Sequence, residues 1–268
     1  MEVEGPFARG IMFTKDANQE VDAFILIHWL LMSVCAGVLN TIAFIGLGTF
    51  ATHVTGFATL FGIHASSLHY GDALAVLAVP LFFLVGATIS GLCVEARVRL
   101  GKLPHYDYVM YFCSFLLVVA CVAADFRNSD ASQTYVHVRE NFVLLSLICL
   151  ASGLLNAALS YSSHSTVRIT HLTGVTTDLG RGIAELIYLR TFKTSEMRKE
   201  LRLNLLRGLT IISFMLGSLI GAILFRTIMF YALLVPAAYF AYAGEHGRRM
   251  KASFKLIDVA GGVEINET

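Results

Sequence analysis

The chain has 268 residues, 56% hydrophobic and 15% charged, with a formal net charge of +1 and a mean hydropathy of +0.68. Soluble domains carry about 25% charged residues, so this composition excludes an ordinary soluble core and fits a multi-pass membrane protein. The near-neutral charge excludes nucleic acid as a partner, and five cysteines scattered through apolar runs without a C-x-x-C pair exclude a disulfide frame or zinc knot.

Residues 1–20 mix Glu2, Glu4, Arg9, Lys15, Asp16 and Glu20 and lack an apolar core. They are expected to form a cytoplasmic segment rather than a cleaved signal. A spanning helix needs roughly 20 mainly apolar residues, and six stretches qualify. They are Ala23–Phe44, Ala73–Val94, Tyr108–Ala123, Phe142–Ser160, Leu205–Phe225 and the short Met229–Ala243. The organisation read from them is repeat one over 21–124, an external linker over 125–141, repeat two over 142–243 and a cytoplasmic tail over 244–268. The tail reads as a basic anchor followed by a polar end. The segment 49–71 is moderately apolar; a full crossing there would turn each repeat into four spans. The charged run Thr191–Arg207 reads as a helix end among lipid headgroups.

With the N-terminus inside, seventeen Lys and Arg fall on cytoplasmic segments. The three on the outer side are Arg127, Arg139 and Arg226. That asymmetry obeys the positive-inside rule for six spans with both termini cytoplasmic.

Two motifs recur in order. Ala36-Gly-Val-Leu-Asn40 precedes Thr52-His-Val-Thr-Gly56, and Ser152-Gly-Leu-Leu-Asn156 precedes Thr170-His-Leu-Thr-Gly174. Three spans per copy force the second copy to enter from the opposite side. The expected fold is therefore all-α, with about six transmembrane helices in two inverted three-helix repeats and broken or re-entrant segments after spans 1 and 4. Transporters of this design place their sites near the midplane, between the repeats. Gly86-Ala-Thr-Ile-Ser90 and Gly217-Ser-Leu-Ile-Gly221 add matching small-x-x-x-small patterns, which allow close helix packing.

The candidate substrate-binding residues are Asn40, Thr52, His53, Thr55 and Gly56, with Asn156, Thr170, His171, Thr173 and Gly174. An amide in hydrocarbon needs partners and should face the bundle interior. Thr-His-x-Thr-Gly supplies two hydroxyls, an imidazole and a backbone break, and a helix start after it suits an anionic group. The competing structural reading is an interhelical hydrogen bond at each Asn and a Thr cap on the next helix. In the second copy Val175, Leu179, Ile183, Leu186 and Ile187 fall on one helical face, and Asp178, Arg181 and Glu185 have no charged counterparts in the first copy. His53, His64, His69 and Asp72 share one segment, yet their spacing matches no compact metal motif. No metal or other cofactor is expected.

The motifs A-G-x-x-N-x-x-x-F at Ala36–Phe44 and H-V-T-G at His53–Gly56, with their second-copy partners, resemble the YoaK-like family of bacterial multi-pass membrane proteins over residues 22–243. The resemblance implies an inner-membrane protein of about six spans and supplies no substrate. This chain has Asn40 where the family usually has Asp, and Phe57 where it has Asn after Thr-Gly. The missing acid removes any basis for carrying over cation coupling. The leading expectation is a small-solute transporter or permeation protein. It is not expected to be an enzyme, and its partners are the lipid bilayer, an unknown small solute or ion, and a second copy of itself in a homo-oligomer. The alternatives are a membrane enzyme using His53 or His171, and a non-catalytic receptor or assembly subunit.

Overall fold

The computed structural model describes residues 23–126, 141–163, 172–189 and 194–261. Among these residues all regular structure is helical. The long apolar runs have no other option in lipid, where each backbone N–H and C=O must be satisfied within its own segment. In chain order the helices are α1 (Ala23–Leu47), α2 (Val54–Ser66), α3 (Tyr70–Cys93), α4 (Glu95–Arg99), α5 (Tyr106–Asp125), α6 (Phe142–Ser162), α7 (Leu172–Leu189), α8 (Thr194–Ile228) and α9 (Leu234–Gly261).

Five stretches are long and apolar enough to cross a membrane. They take in all six sequence-predicted spans, because the last two fall within one 57-residue helical stretch, Ser195–Lys251. That stretch is interrupted by a 3-10 turn at Met229–Leu233, which opens with Met229 at φ 51°. A left-handed non-glycine residue is unusual, and here it opens the turn that separates α8 from α9. The segment 49–71 holds the 13-residue α2 and the first two residues of α3. At 1.5 Å per residue α2 is about 20 Å long, short of a hydrocarbon core of about 30 Å. The last helix, α9, stays helical to Gly261.

Three helix pairs form the body: α1 with α8, α3 with α6, and α5 with α9; α5 also packs on α6. Each short helix lies on one long one, α2 on α3 and α7 on α8. The two principal seams are built alike. A Cβ on Gly37 would overlap the carbonyl of Phe214, and one on Gly153 would overlap the carbonyl of Phe83. In return, a Cβ on Gly217 would overlap the Val34 carbonyl, and one on Gly86 the Leu150 carbonyl. So the glycine of each opening motif meets the small-residue pattern of the other copy, backbone against backbone. Lipid tails are as apolar as the side chains, so helices in a bilayer associate through such close van der Waals packing rather than through hydrophobic burial.

Candidate functional site

In the first copy α1 ends at Gly48, which adopts φ 73° and donates its N–H to Phe44 O at 3.0 Å. A glycine in this conformation closes the helix at no steric cost. The chain then turns inward. Ala51 and Thr52 are buried; Thr52 Oγ1 donates to Asn40 Oδ1 at 2.9 Å, and Cys149 Sγ of α6 lies 3.0 Å from Ala51 O. The next residues point the other way. His53 and Thr55 are exposed. The His53 ring meets Phe50 edge-on at 4.7 Å, and Phe50 stacks on Phe44 at 4.3 Å. The His53 carbonyl accepts the Gly56 N–H at 2.9 Å, and no side chain caps α2.

The five residues of the first motif therefore divide. Thr52 donates to Asn40 in the buried interior, while His53 and Thr55 face outward beside a half-buried Gly56. In the second copy Asn156 is half-buried on α6, and its Oδ1 has no hydrogen-bond partner among the described residues. Thr170 and His171 lie outside the described residues. Thr173 is exposed and Gly174 half-buried in the first turn of α7. The two copies share one local habit. Thr59 Oγ1 donates to Thr55 O at 3.2 Å, and Thr177 Oγ1 donates to Thr173 O at 2.9 Å. Of the apolar stripe predicted on α7, Val175 is buried, whereas Ile183 and Ile187 are exposed. The buried side passes through Val175 and Gly182.

Sequence reasoning missed a polar cluster beneath that side. Arg207 Nη1 donates to Glu200 Oε1 at 2.6 Å and to Asn204 Oδ1 at 2.7 Å. All three belong to α8 at spacing i, i+4, i+7, one helical face. Within the charged run that ends at Arg207, Glu200 and Asn204 are buried. Gly182 of α7 covers them so closely that a Cβ there would overlap Glu200 Oε1 and Asn204 Oδ1. That spacing, with a glycine in the helix before it, was the available signal.

Two further groups join α9 to its neighbours. Lys251 Nζ donates to Asp107 Oδ1 at 2.7 Å and lies 2.8 Å from His105 Nδ1. Burial pushes His105 below its ordinary value, and the cations Lys251 and Arg97 add to this, while Asp107 pulls it back. At the start of α1, Phe24 and His28 pack against His246 of α9, with His28 and His246 stacked 6.1 Å apart and Tyr239 beside His28. Among the described residues no three His, Cys, Asp or Glu side chains gather as a metal site. All five cysteines are free.

An all-helical protein with membrane-length helices and buried polar groups at its helix seams defines the class. Within it, the chain belongs to the family described as protein of unknown function DUF1275, whose model matches residues 28–244. The YoaK-like resemblance is consistent with that family. No curated protein and no solved structure matches the chain.

Proposed function

We propose that the chain is a small-solute transporter or permeation protein of the bacterial inner membrane, made of two inverted repeats that cross six times, with both termini cytoplasmic. The observation that carries this reading is the reciprocal glycine seam, Gly37 on Phe214 and Gly153 on Phe83. In each case the opening helix of one copy is completed by the other copy, the arrangement that lets two halves rock about a shared interface. The lysine and arginine asymmetry supports the orientation. The break at Met229 supports counting α8 and α9 as two crossings, since an unbroken 57-residue helix would be about 85 Å long. Among the motif residues, Asn156 is the best suited to meet a solute, because its buried Oδ1 is unengaged by any described residue. In this reading Asn40 and Thr52 hold the α1–α2 connection in place.

The test is the full chain in proteoliposomes, with stopped-flow light scattering following entry of a panel of small neutral and charged solutes. A flux above empty vesicles that drops in Asn156→Leu is expected. Permeability equal to empty vesicles for the whole panel would overturn the proposal. Single-cysteine labelling at positions 128 and 196 from the two sides checks the topology; the expected result is outside for the first and inside for the second.

A further inference from the structure

We propose that Glu200, Asn204 and Arg207 form a binding site for a small carboxylate. In it Glu200 occupies the ligand's place until it takes up a proton, and α7 is the cover. The proposal deepens the transport reading, resting on it for movement of the ligand and not for its binding.

The other copy lacks this cluster. In the register that aligns Gly86 with Gly217, the α3 positions matching Glu200, Asn204 and Arg207 are His69, Ala73 and Val76, of which His69 is exposed and Ala73 and Val76 are buried. The first copy therefore has no buried charged side chain at these three positions. A buried ion pair is a poor device for stability, because desolvation cancels most of its Coulomb gain.

Asn204 is 7% exposed, and its Nδ2 has no acceptor among the described residues. An unmet buried N–H is costly, and it points to an acceptor that comes and goes. Glu200 is 9% exposed and demonstrates that a carboxylate fits against Arg207. Arg207 makes its described hydrogen bonds through Nη1. The rest of the guanidinium fork remains for an anion, and arginine binds carboxylates best in this two-pronged way.

The exchange balances. A proton neutralises the Glu200 carboxylate, the Arg207–Glu200 pair opens, and the incoming carboxylate accepts from Arg207 and Asn204 Nδ2. One negative charge enters with one proton, so the pocket keeps its net charge. The surroundings leave this role to Glu200. On α7, Asp178 is paired with Arg181 at 3.7 Å, and Glu185 and Tyr188 are exposed. On α8, Glu196, Arg198, Lys199 and Arg202 are exposed. On α1, His28 is turned to His246 and Tyr239 of α9, and Cys35 is buried farther along the helix. Access requires α7 to lift, since Gly182 rests on the cluster; α8 is its principal packing partner.

Titration calorimetry on the purified full chain in detergent tests this, with sodium pyruvate as the probe and sodium chloride at equal ionic strength as the control. Pyruvate stays ionised from pH 6.0 to 7.5, so any pH effect belongs to the protein. Affinity is expected to rise about tenfold or more on going from pH 7.5 to 6.0. Buffers of different ionisation heat should report about one proton taken up per pyruvate at pH 7.5. Glu200→Gln should bind at least about tenfold tighter at pH 7.5 with no proton uptake, and Arg207→Gln should not bind. Absence of pyruvate binding by the intact chain, binding without proton uptake, or binding unchanged in Arg207→Gln overturns the site. If either variant fails to fold, proton uptake by the intact chain decides alone. In proteoliposomes, pyruvate that binds but never crosses removes the transport reading and leaves the site standing. Pyruvate uptake that persists in Arg207→Gln removes the site and leaves transport standing.

Discussion

The two short helices rest on their long partners in contrasting ways. In the first copy α2 packs on α3, whose first turns bury Ala73 and Val76, and Phe57 of α2 is buried too. Under α7 the same positions of α8 hold Asn204 and Arg207, with Glu200 one turn earlier and a glycine at the point of contact. The first contact is held by shape. The second lays Gly182 over a charge pair that belongs to α8 alone, and lifting that cover exposes the pair. The halves thus share a scaffold and divide the work, one serving as anchor and the other as the place where polar chemistry is possible.

The largest expected difference comes from breaking each contact at its centre. Arg207→Ala leaves Glu200 buried and unpaired and should cost about 3–5 kcal/mol. Val76→Ala at the equivalent position should cost about 1–3 kcal/mol. Thermal unfolding of the purified chain, followed by the fluorescence of Trp29, compares them; equal losses would erase the contrast. Next come the seams, where the halves should behave alike. Gly37→Ala and Gly153→Ala each drive a methyl into a backbone carbonyl and should each cost about 1–3 kcal/mol. A twofold disparity in the shift of unfolding temperature would show that the seams are not equivalent.

A smaller effect separates the two asparagines. Thr52→Val strips Asn40 Oδ1 of its donor in the interior and should cost about 1–2 kcal/mol, while Asn156→Asp, a change of charge in the other copy, should alter solute flux more than stability. Unfolding and flux measured on the same preparations would expose the reverse order. The smallest effect is one of pH at the foot of α9. Burial and nearby cations favour neutral His105 in the folded chain, so the unfolded chain binds that proton more readily. Its stabilising contribution is complete above the ordinary histidine value and is lost as pH falls below it. The unfolding temperature should therefore decline between pH 7.5 and 5.5, and less so in His105→Asn. An identical decline in both would remove His105 from the account.

Sequence patterns revealed the helices better than the site. Runs such as Ala23–Phe44 and Phe142–Ser160 contain few residues that could be anything but lipid-facing or core, and the observed α1 and α6 differ from them only at their C-terminal ends. The paired glycines were legible as packing patterns, though not whom they would meet, because Gly37 and Gly217 touch only after the chain has folded back. The site was harder. The Thr-His-x-Thr-Gly motif joins buried and exposed positions, and a linear string does not say that Thr52 turns in while His53 turns out. The Glu200 cluster was hidden by its company: Arg198, Lys199 and Arg202 beside it are exposed, and composition averages over faces. On α7 the apolar count favoured Ile183 and Ile187, whereas Gly182, a residue without a side chain, sets the contact.

The crossed seams also have a consequence for biosynthesis. The surface of α1 around Val34 and Gly37 finds its partner on α8, so it must wait in the bilayer until well over half the protein has been made. Neither half can be finished by itself. Expressed as separate polypeptides, the halves should each be prey to degradation and should rescue one another when made together.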